Sequence, residues 1–306
     1  MKKRVICLIG PTASGKTEIA LKLAKRIGAE IISCDSMQIY KGIDIATSKP
    51  TKAETRRIPH HLIDVLSPSQ EYNVALFKKS ALEKINHIHK KGKVPLIVGG
   101  SGLYLRALID GLFEGPGRDS ALRNKLSQQA KKYGKAYLYR KLKKQDPEAA
   151  CKIHPHDLRR IIRALEVYKL AREPISARQK KTFGIRDKYD LRIFGLRRKR
   201  DELYRRIERR VDKMFRKGLA SEIKRVMKHK ISRTAEGLLG YREIAGYLKG
   251  EYSKDRASEL LKRNTRHYAK RQISWFKNEK GVNWIELSDE DKSQIIADKI
   301  GLSLSR

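Results

Sequence analysis

Cysteine is scarce in this 306-residue chain, which has only Cys7, Cys34 and Cys151. So few, so scattered, they exclude a disulfide framework and a cysteine-rich zinc site. Cys7 and Cys34 stand in apolar runs and are expected to be buried small hydrophobes. The pairs His60/His61 and His154/His156 lack the spacing and companions of a metal site. Long hydrophobic runs are also missing: no apolar stretch reaches the ~20 residues that span a bilayer. The first apolar run is short and leads straight into a glycine-rich turn, unlike a signal peptide. A cytoplasmic, reduced protein with no membrane attachment is expected. The largest deficit is in acidic residues, 34 against 71 lysines and arginines, for a formal charge of +37. Solubility does not require such an excess, which points to a polyanionic partner, nucleic acid first. Repeats and low-complexity tracts are absent. With 40% apolar residues the chain can bury one large core or two modest ones.

The organising stretch is Gly10-Pro11-Thr12-Ala13-Ser14-Gly15-Lys16-Thr17. It follows the apolar run Val5–Ile9 and precedes a helical pattern through Ile19, Leu23 and Ile27. Strand, glycine-rich turn and helix are the context in which G-x-x-x-x-G-K-[ST] cradles phosphate. Backbone N–H groups converge on an anion at the positive end of the helix, Lys16 adds a point charge, and the Thr17 hydroxyl suits Mg²⁺. A nucleoside triphosphate such as ATP is the default ligand, although any diphosphate of suitable size satisfies the same physics.

Short strands alternate with amphipathic helices over the first hundred residues, the pattern of a parallel sheet. Ile31–Cys34 reads as the second strand and delivers Asp35-Ser36-Met37-Gln38 to its carboxyl end. His61–Val65 is expected to be a further short strand. Val74 to Ile88 has helical spacing, and Val94–Val98 is a strand running into Gly99-Gly100-Ser101-Gly102. Ligands gather beyond the carboxyl ends of such strands, so Thr17, Asp35 and Ser101 should converge on one crevice. Gly111–Gly117 reads as a turn-rich hinge. From Ala121 to Arg178 the pattern is helical and basic, and Ile193–Leu196 returns to the sheet, which makes the helical part an insertion. A helix with Leu203, Ile207 and Val211 on one face carries Arg205, Arg206, Arg209 and Arg210 on the other, and a last helix is expected over Asp255–Lys280.

Asp35 is placed to accept a proton from a nucleophile beside a bound phosphate ester, or simply to cap a turn. Many phosphotransferases carry an Asp after the strand equivalent to Val94–Val98 to hold Mg²⁺. Here that strand ends in glycines, which weakens a kinase reading without removing it. Arg160 and Arg163 share a helix face, suited either to an RNA backbone or to solvent. Trp275 and Phe276 read more readily as core anchors than as stacking platforms.

GPTASGKT (10–17), DSMQIY (35–40), PHHLIDV (59–65), GGSGLY (99–104), HPHDLRRIIRALE (154–166), GYRE (240–243) and AKRQISWF (269–276), in this order, resemble the bacterial tRNA dimethylallyltransferases, also called tRNA isopentenyltransferases. The resemblance implies an α/β fold of the P-loop NTPase type, a parallel sheet with flanking helices and an inserted all-helical domain. Residues 1–113 and 191–306 would form the catalytic part, and 114–190 the insertion that binds the anticodon arm. The implied activity moves a dimethylallyl group from dimethylallyl diphosphate to N6 of the adenine just 3′ of the anticodon, with Mg²⁺ and release of diphosphate. On this pattern Gly10 through Thr17 hold the diphosphate, Thr17 the metal, and Asp35, Lys16, Thr17 and Arg210 act in catalysis. The residues implied to meet tRNA are Asp35, Ser36, Met37, Gln38, Ser101, Asn124, Arg159, Arg160, Ile161, Ile162 and Arg163. Ser101 stands where the family usually has Thr and Arg159 where Gln is common, and Gly237-Leu238-Leu239 also departs from the usual form. A monomer is expected.

Overall fold

The computed structural model describes residues 2–113, 115–180 and 182–304; Glu114, in the expected hinge and at the expected domain boundary, lies outside them. The chain runs β1 (Arg4–Ile9), α1 (Lys16–Ile27), β2 (Ala29–Cys34), α2 (Lys52–Arg57), β3 (His60–His61), α3 (Val74–Lys90), β4 (Val94–Gly99) and α4 (Gly102–Ile109). A helical stretch follows: α5 (Ser120–Tyr133), α6 (Lys135–Gln145), α7 (Pro147–Lys152), α8 (Leu158–Ala171) and α9 (Ile175–Lys180). The chain then continues through β5 (Asp190–Arg198), α10 (Arg200–Arg216), α11 (Leu219–Met227), α12 (Tyr241–Leu248), α13 (Lys254–Phe276), β6 (Val282–Leu287) and α14 (Ser293–Ser303). Among the described residues no helix is long and apolar enough to cross a membrane.

Two compact units result, and the chain passes from one to the other after Ile109 and back at Ile185. The expected boundaries, 113/114 and 190/191, lie further along at both crossings. The return is early because the Ile185 and Arg186 N–H groups already donate to Leu108 O and Ile109 O, at 3.0 and 3.1 Å, zipping the chain onto the end of α4.

The α/β unit is built on one sheet of order β3-β2-β4-β1-β5-β6, every neighbouring pair parallel. Parallel strands are covered on both faces, and their sequences are accordingly near-continuous apolar runs. Ile6 and Leu8 of β1 pack with α1 and α14, while Val5, Cys7 and Ile9 join the core on the opposite face with α3 and α4. Cys7 and Cys34 are buried there. Register aligns the strand ends: Cys34 pairs with Gly99, and Gly99 with Ile9. Asp35, Gly100 and Gly10 therefore leave the sheet at one level.

Two expectations about elements are corrected. β3 is only two residues long, because Leu62 and Asp64 take left-handed backbone at φ 62° and 53° and turn the chain out of the sheet. The helix expected to Lys280 stops at Phe276, and β6 and α14 follow it, the strand extending the sheet beside β5 and the helix packing on α1. Trp275 behaves as an anchor: a Cβ at Gly102 would stand 2.3 Å from its ring, and Arg106 lies over the ring at 4.8 Å.

In the helical unit Leu126, Leu138, Leu142, Ile161, Leu165 and Ile175 form the core. Glu166, fully buried, is its polar centre. It accepts from the Arg123 fork at 2.8 and 2.7 Å, from Arg163 at 2.6 Å and from the Asp119 N–H at 2.9 Å. Burial raises the Glu166 carboxyl, but the hydrogen bonds from Arg123 and Arg163 outweigh it and bring its pKa down to about 2.

Candidate active site

The loop Gly10–Thr17 joins β1 to α1 and lines one wall of a cavity of about 700 Å³. Gly15 precedes the helix in the left-handed region at φ 102°, where a side chain would be strained. Ala13 takes φ 62° although it is not glycine. Two loop amides are already engaged: Thr12 N–H donates to Gln272 Oε1 at 2.8 Å, and Ser14 N–H to Pro11 O at 3.3 Å. Those of Ala13, Gly15, Lys16 and Thr17 have no acceptor among the described residues. A diphosphate would thus meet four free donors rather than the whole loop. Ser14 Oγ is buried without a partner among the described residues.

Lys16 is folded back onto its own loop, donating to Gly10 O at 2.8 Å and Pro11 O at 2.6 Å. Burial, then the nearby Arg210 charge, lower its pKa from 10.5 to about 7, with Asp35 opposing. Thr17, the second residue of α1, lines the cavity. Arg210 also lines it, its own pKa lowered by burial against the pull of Asp35.

Asp35 follows β2. Its Oδ1 caps a turn, accepting from the Met37 N–H at 2.8 Å and, more weakly, from the Gln38 N–H at 3.4 Å. Oδ2 has no hydrogen-bond donor among the described residues, so turn-capping and chemistry are compatible in this one side chain. Ser36 N–H donates to Ser101 Oγ at 3.3 Å, which ties the loop after β4 to the Asp35 turn. The Gln38 amide is fixed by Ser33 Oγ at 2.8 Å and by Thr47 O at 3.3 Å. Asp35, Ser36, Met37 and Gln38 line the same cavity as Thr12, Ala13, Gly15, Lys16 and Thr17, whereas Gly10, Pro11, Ser14 and Ser101 do not.

The glycines at the end of β4 and just after it are explained by close approach of the protein to itself. A Cβ at Gly99 would meet Cys34 O at 2.1 Å, and one at Gly100 would meet Gln272 Nε2 at 2.2 Å. Gln272 of α13 is the residue that sequence reasoning missed most clearly. With Thr12 N–H on its Oε1, its Nε2 donates to Gly100 O at 2.9 Å, clamping the two loops together. Tyr268, one helical turn earlier, also lines the cavity, bonded to Ser101 and with its hydroxyl pKa raised by burial and then by Asp35. Both fall in or beside the quoted stretch 269–276, the signal that could have found them. Cations dominate the remaining wall, with Arg206, Arg209, Lys213 and Arg271 opposite few acids. The cavity suits a compact polyanion on the loop side and a hydrogen-bonding planar group near Asp35 and Gln38.

The remaining expected site residues belong to the helical unit. Asn124, Arg159 and Arg160 are exposed, on α5 and α8. The Ile161 and Ile162 side chains are buried in that unit's core, which removes them as side-chain contacts for RNA. Arg163 is committed to Glu166 and to Pro116 O at 3.1 Å.

A family model described as IPP transferase matches residues 38–279. The tRNA dimethylallyltransferase of Carboxydothermus hydrogenoformans is 47% identical over 297 residues, 96% of each chain. The chain belongs to this family. Another dimethylallyltransferase, from Halothermothrix orenii, is likewise 47% identical over 96% of this chain and 90% of its own. Among solved structures, the full-length tRNA isopentenylpyrophosphate transferase of Bacillus halodurans is 41% identical, with a TM-score of 0.71 and coverage of 100% and 97%. A eukaryotic dimethylallyltransferase described as acting on tRNA is 28% identical, with a TM-score of 0.83 over 99% of this chain and 78% of its own. The family match accounts for the α/β fold and for prenyl transfer as the activity class. The matched model begins at Gln38, beyond both the phosphate loop and Asp35, so the roles of those residues rest on their geometry.

Proposed function

We propose that the cavity holds dimethylallyl diphosphate on the Gly10–Thr17 loop and presents its allylic carbon to N6 of an adenine swung out of a tRNA anticodon loop, the one just 3′ of the anticodon. The observation that carries this reading is one cavity lined by four loop residues whose N–H groups have no acceptor among the described residues, by arginines and by Asp35, with Gly99 and Gly100 where a nucleotide kinase would need a metal-binding carboxylate.

The N6 lone pair forms the new bond to the allylic carbon while the carbon–oxygen bond breaks and its electron pair leaves on the diphosphate. The loop N–H groups, Lys16 and Arg210 stabilise the charge that accumulates there. Asp35 Oδ2 accepts the proton that N6 gives up, its carboxylate already oriented through Oδ1. Gln38, with its amide fixed from two sides, suits the edge of the base. The oxygen donors of Thr17 and of the diphosphate itself fit Mg²⁺, which takes oxygen ligands and keeps much of its water. Thr17 would hold the ion, which when bound supplies positive charge to the departing diphosphate. Asn124, Arg159 and Arg160 of the helical unit suit the anticodon stem, where exposed guanidinium and amide groups meet backbone.

A monomer is part of the same reading, since a single chain supplies every group named, and the scarcity of cysteine supports a cytoplasmic one. The test is incorporation of labelled dimethylallyl into unmodified tRNA with adenine at the target position. Incorporation is expected, and its absence with folded protein would remove the reading. Adding ATP as competitor reads whether the loop also takes a nucleotide.

A further inference from the structure

Asp289, in the turn after β6, lies in no motif and does not line the cavity. Its carboxylate nevertheless collects three guanidinium groups. Oδ1 takes Arg206 Nη1 at 3.0 Å and Arg198 Nη1 at 3.5 Å, and Oδ2 takes Arg209 Nη2 at 3.4 Å. The Arg206 hydrogen bond holds its carboxyl below the usual range, against an opposing contribution from burial.

The other N–H groups of two of these arginines go to the phosphate loop: Arg206 Nε donates to Ala13 O at 3.0 Å and Arg198 Nε to Ser14 O at 3.1 Å. A Cβ at Gly15 would lie 3.9 Å from Nη2 of each, so the pair brackets one turn of the loop. Arg198 ends β5, which pairs with β1, and its side chain is only 5% exposed. In a planar trans peptide the N–H points away from the C=O of the same unit. Holding Ser14 O toward the arginines therefore turns the Gly15 N–H the other way, and that N–H is one of the free donors. Ala13 keeps its left-handed backbone with its carbonyl satisfied from the same side.

We propose that Asp289 is a positioning residue for diphosphate binding. It fixes Arg198 and Arg206 as struts that shape the loop's anion-binding face before the ligand arrives. The inference rests on the reading of this cavity as a diphosphate site. Coulombic attraction alone makes the opposite prediction to positioning: deleting a negative charge beside an anion site should tighten binding.

The experiment titrates inorganic diphosphate into the full chain at fixed ionic strength, by calorimetry, and measures KM and kcat for dimethylallyl diphosphate. Asp289→Asn is expected to raise the Kd for diphosphate about tenfold. KM should rise with it and kcat change little, as for an interaction made in both ground and transition states. Asp289→Glu should restore most of the affinity. Arg206→Lys, which keeps the charge and loses the fork, should weaken binding similarly, and the double variant should be no worse than either single one. An unchanged or lower Kd in Asp289→Asn, or additive losses in the double variant, would overturn the inference. Lys16→Ala separates the two levels. If wild type binds diphosphate, Lys16→Ala loses it and Asp289→Asn matches wild type, only the inference falls. If wild type does not bind diphosphate, the diphosphate reading falls and takes the inference with it.

Discussion

Glu166 in the helical unit and Asp289 in the α/β unit each gather arginines, with different consequences for the charge they gather. Glu166 is fully buried, and its partners Arg123 and Arg163 turn inward to it, so two cations of a basic helix pair are tied to one carboxylate that offsets half of their charge. Asp289 is about one-third exposed and is outnumbered by Arg198, Arg206 and Arg209, two of which reach on to backbone carbonyls of the phosphate loop. The first carboxylate consumes charge to hold helices together, whereas the second arranges charge around a cavity and leaves a surplus there. A net charge of +37 is therefore a poor guide to which cations meet a ligand. On α8, Arg159 and Arg160 are exposed while Arg163 is committed.

The largest loss is expected at the carboxylate that faces the α/β cavity. Asp35→Ala is expected to lower kcat for prenyl transfer by about 10²–10⁴-fold while diphosphate still binds. Normal single-turnover rates in that variant would end the assignment of Asp35 as base.

In the helical unit, Glu166→Ala should destabilise by about 3–5 kcal/mol, because it strands two partly buried guanidinium groups. Faster hydrogen exchange in α5 and α8 would show it. The pH dependence has a definite sign. The folded carboxyl titrates near 2, below the ordinary 4.5, so its contribution is complete above about 4.5 and is lost as pH falls toward 2. Glu166→Gln should lack that acid-limb loss.

A smaller effect sharpens the difference within α8. Arg159→Ala and Arg160→Ala should each reduce the salt slope of tRNA binding by about one without affecting stability. Arg163→Ala should show the reverse, a stability loss with the slope retained. Equal slope changes in all three would return Arg163 to the RNA surface.

The least effect expected is protonic. With its pKa near 7, Lys16 is largely neutral at about pH 8, and a bound anion favours its charged form, so diphosphate binding should take up a fraction of a proton there. Calorimetry in HEPES and in Tris should differ accordingly. The gap between wild type and Lys16→Ala should close toward pH 6, where Lys16 is already charged; protons exchanged by the diphosphate itself are common to both proteins and cancel in that gap.

Much of this was legible before any coordinates. The Val5–Ile9 strand, its glycine loop and the helix after it are local patterns, and local patterns survive folding when the burial they imply is consistent with their neighbours. β3 was misjudged because Leu62 and Asp64 turn out of the sheet with backbone that apolar alternation does not encode. β6 was missed because the edge strand Val282–Leu287 is short and its exposure neither alternates strictly nor forms a continuous apolar run. Gln272 and Asp289 were missed for a stronger reason: their partners, Thr12, Gly100, Arg198 and Arg206, are distant in the chain and reach them only through the docking of α13 and β6.

The residues alone pointed to a glycine-rich turn between a strand and a helix, a carboxylate at the end of the next strand, a basic helical insertion and the family they jointly resemble, because covalent spacing governs each of these. Tertiary packing alone decided which of the loop's N–H groups are free, which arginines remain available, and that a carboxylate after the last strand braces the loop. Hydrogen-bond partnership depends on distances of a few ångströms between segments that the order of the chain leaves unrelated.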